Sequence, residues 1–271
     1  MATSGWTTGR VLGFDTETTG VDVANDRIVT AALVMREGLA GLSRTRTWII
    51  DPGVEIPEAA SAIHGVTTAY AREHGRPPRE VLEELAQALA GAMADGVPVV
   101  AFNATFDLTI LEHELARHDL PTLTDRLGRA PGPAVDPLVL DRALDRYRPG
   151  KRRLGNLAEH YGVVATGELH AADVDVDATL DVLGALVRRF PELAEVPLTA
   201  MHERQIRAHH AWARGFNAWL RENGYDRPRP TAAGRCRAPT PCPRRCWPRS
   251  CSGPGPRRPP SAWTCPPARP P

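Results

Sequence analysis

The chain has 271 residues, 42% hydrophobic and 24% charged, with a net charge of +1. These values suit one globular core with an appendage and exclude a fibrous or wholly disordered protein. The near-neutral total hides an asymmetry, because residues 227–271 hold ten arginines and no Asp or Glu, leaving 23 basic against 32 acidic residues, a charge of −9, in 1–226.

An acidic body argues against broad electrostatic binding of nucleic acid, so any such contact must be local and metal-assisted. No run of about eighteen apolar residues occurs, and the N-terminus MATSGWTTGR lacks the basic-then-apolar build of a secretory signal. The expectation is a soluble, cytoplasmic protein with no membrane partner.

Along the chain, Arg10–Phe14 reads as a short buried strand running into the polar turn DTETTG, and Arg27–Met35 and Arg44–Ile50 as two further strands. Gly-containing links make the three antiparallel neighbours. The loop DPGVEIP leads to a short helix around Glu58–Ile63, and Arg79–Met93 carries Val81, Leu82, Leu85 and Leu89 at helical spacing. Val97–Phe102 is a fourth strand, Phe106–His118 a helix, and Ala134–Leu140 a fifth apolar run that crosses from strand towards helix. Asp175–Phe190 closes the pattern as a helix. Three strands followed by alternating helices and strands call for an α/β domain, residues 1–192, with a mixed sheet covered by helices on both faces.

A C-terminal extension, 193–226, carries the amphipathic stripe Ile206, His209, Ala213, Phe216 and Leu220. Its His202, His209 and His210 could bind metal, but beside Trp212 and Trp219 they read as packing or surface residues. Residues 227–271 contain no Ile, Leu, Val, Met or Phe and 14 of the 26 prolines, a composition expected to be disordered. Two readings of this tail stand: a genuine basic segment, or a G/C-rich gene read in a shifted frame. The five cysteines all lie there without close CxxC pairs, which argues against zinc and disulfides.

Chemistry concentrates in three acidic elements. Asp15 and Glu17 sit two apart, so a strand's period of two turns both carboxylates to one side as hard oxygen ligands suited to Mg²⁺ or Mn²⁺. In FNATFDLTIL, Asp107 opens a helix after the fourth strand, where Asn103 can cap or bridge the turn. The helix dipole would also explain an acid there. In LHAADVD, His170 precedes Asp175 by five residues, and a neutral imidazole can accept a proton from water. Asp173 and Asp177 are rivals of Asp175, although Asp177 should turn away along the helix and Asp173 should precede its start.

FDTETTG, NATFD and H-x4-D, in this order over Val11–Leu183, resemble the DnaQ-like DEDDh exonucleases, and DPGVEIPEAASAIHGVT resembles the same family after its third strand. The resemblance implies a ribonuclease H-like three-layer fold with a five-stranded mixed sheet. It also implies a 3′–5′ exonuclease acting on nucleic acid with a free 3′ end, single-stranded and DNA by preference, with release of nucleoside monophosphates. In that family pattern Asp15, Glu17, Asp107 and Asp175 hold two ions and His170 deprotonates the attacking water. Thr16, Glu17, His64 and Gly65 would contact the terminal nucleotide, and Phe102 or Phe106 would stack on its base unless they are core residues. Asn103 would shape the site. An RNA-trimming enzyme, a proofreading subunit with a polymerase or repair partner, and an inactive module that binds nucleic-acid ends or a protein are the alternatives.

Overall fold

The computed structural model describes residues 5–164 and 171–224. Its sheet is built from β1 (Arg10–Thr18), β2 (Ile28–Glu37), β3 (Ser43–Ile49), β4 (Val99–Val100) and β5 (Ala134–Val135), in the order β3-β2-β1-β4-β5. β1 pairs antiparallel with β2, and β2 with β3, whereas β4 is parallel to both β1 and β5. The expected mixed, five-stranded sheet is therefore present.

Between β3 and β4 lie α1 (Glu58–His64), α2 (Thr68–His74) and α3 (Pro78–Ala94). After β4 come α4 (Ala104–Arg117) and α5 (Leu123–Leu127), and after β5 come α6 (Pro137–Leu144), α7 (Leu154–His160), α8 (Ala172–Arg189), α9 (Glu192–Glu195) and α10 (Leu198–Glu222). One core joins Leu12 and Phe14 of β1 to Leu82 and Leu85 of α3 and Leu111 of α4. A second, on the other face, joins Val11, Val100 and Val135 to Val176, Leu180 and Leu183 of α8. Helices cover both faces, as the alternation of elements requires.

Several boundaries differ from the sequence reading. β1 runs on through Thr18, because Asp15, Thr16 and Glu17 pair with Ala32, Ala31 and Thr30 of β2; the polar DTET is strand, not turn. β4 is shorter than 97–102. α8 starts at Ala172, so Asp173 lies in its first turn and does not precede it. α5 had a readable signal in TLTD, where Thr122 and Asp125 form a reciprocal capping box.

Gly13 decides how near α8 comes. A Cβ there would stand 2.3 Å from Val176 Cγ1 and 3.1 Å from Leu180 Cδ1, so only a bare backbone admits the helix at this depth. Because residues 11, 13, 15 and 17 share one side of the strand, the approach that buries Val176 also brings the first turn of α8 over Asp15 and Glu17.

α10 lies against β5 and α6, burying Met201, Gln205, Ala213 and Leu220. The Gln205 amide donates to Ala134 O (3.1 Å) and accepts from the Asp136 N–H (2.7 Å), so one side chain pairs with the outer strand as a neighbouring backbone would. His202 Nδ1 sits 3.3 Å from Ala134 N. No helix among the described residues is long and apolar enough to cross a membrane.

Candidate active site

The chain leaves β1 towards β2 on one side, and β4 returns parallel on the other, so the C-terminal end of β1 is a point where the strand order reverses. Open α/β sheets place ligand crevices at such ends. Asp15 and Glu17 project from β1 towards α8, and their carboxylate oxygens come within 4.8 Å of one another and of Asp175. This is the one such acidic or metal-ligating group among the described residues.

Asp107 arrives from the opposite direction, on the first turns of α4. It is buried, and its Oδ1 accepts hydrogen bonds from the Thr16 N–H (3.1 Å) and Thr16 Oγ1 (2.7 Å). Thr16 lies between Asp15 and Glu17 but faces the other side of the strand, so it fixes Asp107 against the residue that separates the other two. Asp107 is not one of the three that converge within 4.8 Å. It stays close enough to repel them.

Burial and like charge raise three of these carboxyls. Burial, then the charges of Asp107, Glu17 and Asp175, push the Asp15 carboxyl well above the usual carboxylate range. Glu17 is raised from 4.5 to about 7 by burial, Asp175 and Asp107. Asp107 also reaches about 7 through burial, against the opposing pull of its Thr16 bonds. Like charges drawn out of water favour protonation unless a cation or donor compensates them. These oxygens form a hard donor set of the kind that Mg²⁺ and Mn²⁺ take.

Asp177, as expected, turns away, meeting Arg36 Nη2 at 2.6 Å and Ser43 Oγ at 2.7 Å. His170 lies outside the described residues, as does the tail 227–271 with its cysteines. His64 ends α1 near the Thr18 backbone; its Nδ1 accepts from the Val66 N–H (3.2 Å), while its buried Nε2 has no partner. Burial holds its pKa below the usual imidazole value. Gly65 caps α1 in the left-handed region (φ 77°) and is exposed. Phe102 and Phe106 are partly buried on opposite faces of the sheet, one against each core.

Asn103 corrects the sequence reading. It sits at the N-cap of α4 with φ 64° and makes no side-chain cap. Asp136 does the capping: its carboxylate accepts from the N–H groups of Asn103 (3.1 Å) and Ala104 (3.0 Å) and, on α6, of Leu138 (2.9 Å) and Val139 (3.4 Å). The Asp-Pro pair at 136–137, a cap before a proline at the first helical position, was the available signal. Asp136 thus ties the start of α4, and with it Asp107, to β5.

The exonuclease family model RNase_T matches residues 12–183, from β1 to α8. The chain belongs to the RNase_T exonuclease family. By that match it is DnaQ-like. It is 34% identical over 168 residues to a DNA polymerase III PolC-type of Streptococcus thermophilus, covering 61% of this chain and 10% of that protein. Exonuclease I of E. coli, solved with a dT13 oligonucleotide, has a TM-score of 0.57 at 21% identity, covering 69% of this chain and 43% of that one. Exonuclease I of Methylocaldum szegediense gives 0.57 at 24%, over 79% of this chain and 45% of that one. The chain thus spans about a tenth of the polymerase and less than half of either nuclease.

Proposed function

We propose that this chain removes nucleotides from the 3′ end of single-stranded nucleic acid, DNA by preference, using two divalent cations, Mg²⁺ or Mn²⁺. The observation that carries the proposal is the convergence of Asp15, Glu17 and Asp175 within 4.8 Å, with the carboxyls of Asp15 and Glu17 held above their usual range. A cation would offset the repulsion that raises Asp15 and Glu17.

The residues fit hard divalent ions, and Asp15, Glu17, Asp107 and Asp175 would hold them. When bound, the ions supply Lewis-acid polarisation of the phosphate and offset the charge on the leaving 3′ oxygen. Thr16 keeps Asp107 pointed at the cluster through two hydrogen bonds. His170 takes the proton of the attacking water on an imidazole nitrogen, a role supported by the H-x4-D spacing to Asp175. The Thr16–Glu17 backbone, His64 and exposed Gly65 receive the terminal nucleotide. Phe102 or Phe106 lies against the terminal base, and Asn103 shapes the turn beside them.

Digestion of 5′-labelled single-stranded DNA and RNA with Mg²⁺ or Mn²⁺, with EDTA and Asp15→Asn controls, tests this. Stepwise shortening from the 3′ end, stopped by both controls, is expected, with DNA cut faster. A folded protein that shortens neither polymer sinks the proposal, and faster cutting of RNA moves the substrate to RNA. The likeness to part of a PolC-type polymerase favours proofreading as a second reading. Co-purification with a replicative polymerase would support it.

A further inference from the structure

The segment between α6 and α7, together with α10, builds a surface whose chemistry the carboxylate site does not use. Residues 142–153 read RALDRYRPGKRR, six basic residues against one acidic, inside a body of charge −9. Fully buried Asp141 accepts from Arg148 (3.3 Å), from Arg152 and from Tyr161 Oη (2.8 Å). Arg152 also donates to the Asp145 carbonyl (2.6 Å). The loop is wound around those two paired arginines, while Arg146, Lys151 and Arg153 remain exposed. Among the described residues, none of these three forms an ion pair with a carboxylate.

Facing the loop, α10 carries an ordered aromatic ladder. Trp212 and Phe216 stack at 5.4 Å and 10°, Phe216 and Trp219 at 6.0 Å and 14°, and the Arg142 guanidinium lies 3.8 Å from the Trp212 ring centre. Between loop and ladder runs a groove of about 700 Å³, lined by Trp212 and Phe216 with Arg142, Arg146 and Arg152. Adjoining cavities continue it past Val139 and His209 to Ala104 and Thr105, on the turn of α4 that leads into Asp107.

We infer that this groove binds single-stranded nucleic acid and leads the strand towards the carboxylates. The direction of the strand rests on the exonuclease reading; the binding does not. Aligned rings beside a loop of exposed cations are what a single strand requires, since every base offers a π face and every step a phosphate. A duplex hides its bases. A protein segment docking on the ladder would leave the arginines without complementary charge.

The full chain, in EDTA so that no cation compensates the acidic site, is titrated against fluorescein-labelled oligothymidylate and followed by anisotropy at several salt concentrations. Trp212→Ala/Phe216→Ala is expected to weaken binding about tenfold or more. Arg146→Gln/Lys151→Gln/Arg153→Gln changes only exposed side chains, so folding is not in question, and should make the slope of log K against log salt shallower by about two. Wild-type-like binding by both folded variants overturns the inference, as does equal affinity for a duplex or no binding by the wild type. A dimer dissolved by Trp212→Ala, with nucleic-acid binding unaltered, assigns the groove to a second copy and overturns it too. A wild type that binds in EDTA yet releases no nucleotide with Mg²⁺ sinks the exonuclease reading alone.

Discussion

Asp141 and Asp15 are both acids withdrawn from water, but their surroundings are opposite. Asp141 is met by two arginines and a tyrosine hydroxyl; Asp15 is met by Glu17, Asp107 and Asp175. Asp136 stands between them: burial raises it to about 6 while four backbone N–H groups pull it down. A carboxylate whose lone pairs are filled by donors holds the fold together. One left facing its own kind stores repulsion that a cation can relieve, and this difference separates Asp141 from Asp15 and Glu17.

The sharpest way to break that comparison is Asp15→Asn. Loss of one anionic oxygen should lower nucleotide release on the order of 10²–10³-fold, while thermal unfolding in EDTA moves upward because repulsion is removed. Retained activity would place Asp15 with the structural acids.

Asp141→Ala is the converse test. It leaves Arg148 and Arg152 facing an emptied site and should cost about 3–5 kcal/mol in urea unfolding. A cost below about 1 kcal/mol would mean that the buried pair is not what orders the 145–153 loop.

Thr16→Val keeps the backbone bond to Asp107 and removes the hydroxyl bond. Mg²⁺ affinity, measured by calorimetry, should fall about tenfold, with stability changed by about 1 kcal/mol. Unchanged affinity would show that Asp107 needs no such orientation.

The smallest effect is in pH. The folded Glu17 carboxyl lies near 7 against an ordinary 4.5, so between those values the folded state binds more protons than the unfolded one, and stability falls as pH rises. In EDTA the Glu17 share of this loss should be on the order of 1 kcal/mol after solvent screening; Glu17→Gln should remove that share, and Mg²⁺ the whole. A flat profile would mean that the cluster holds no repulsion.

Most of the scaffold was legible because its signals are local. Apolar, β-branched runs marked the three antiparallel strands, and helical stripes marked α3, α4 and α8. The spacing of Asp15 and Glu17 placed both on one side of β1. What escaped depends on contacts distant in sequence. DTET reads as a turn by composition and becomes strand only because β2 pairs with it. The Thr16 hold on Asp107 joins residues 91 apart, and Asn103 lost its capping role to Asp136, 33 positions away. The close approach of α8 at Val176 and Leu180 depends on Gly13, which no local propensity encodes.

The two edges of the sheet are protected by different means. β3 exposes Arg44 and Arg46 along its outer side, charges that make a second sheet a poor neighbour. β5 has only Ala134 and Val135, so its protection is lent by Gln205 from a helix 71 residues further on. A recombinant fragment trimmed ahead of Leu198 would therefore carry an open hydrogen-bonding edge, a template for self-association, and the workable boundary for expressing a minimal nuclease lies beyond α10.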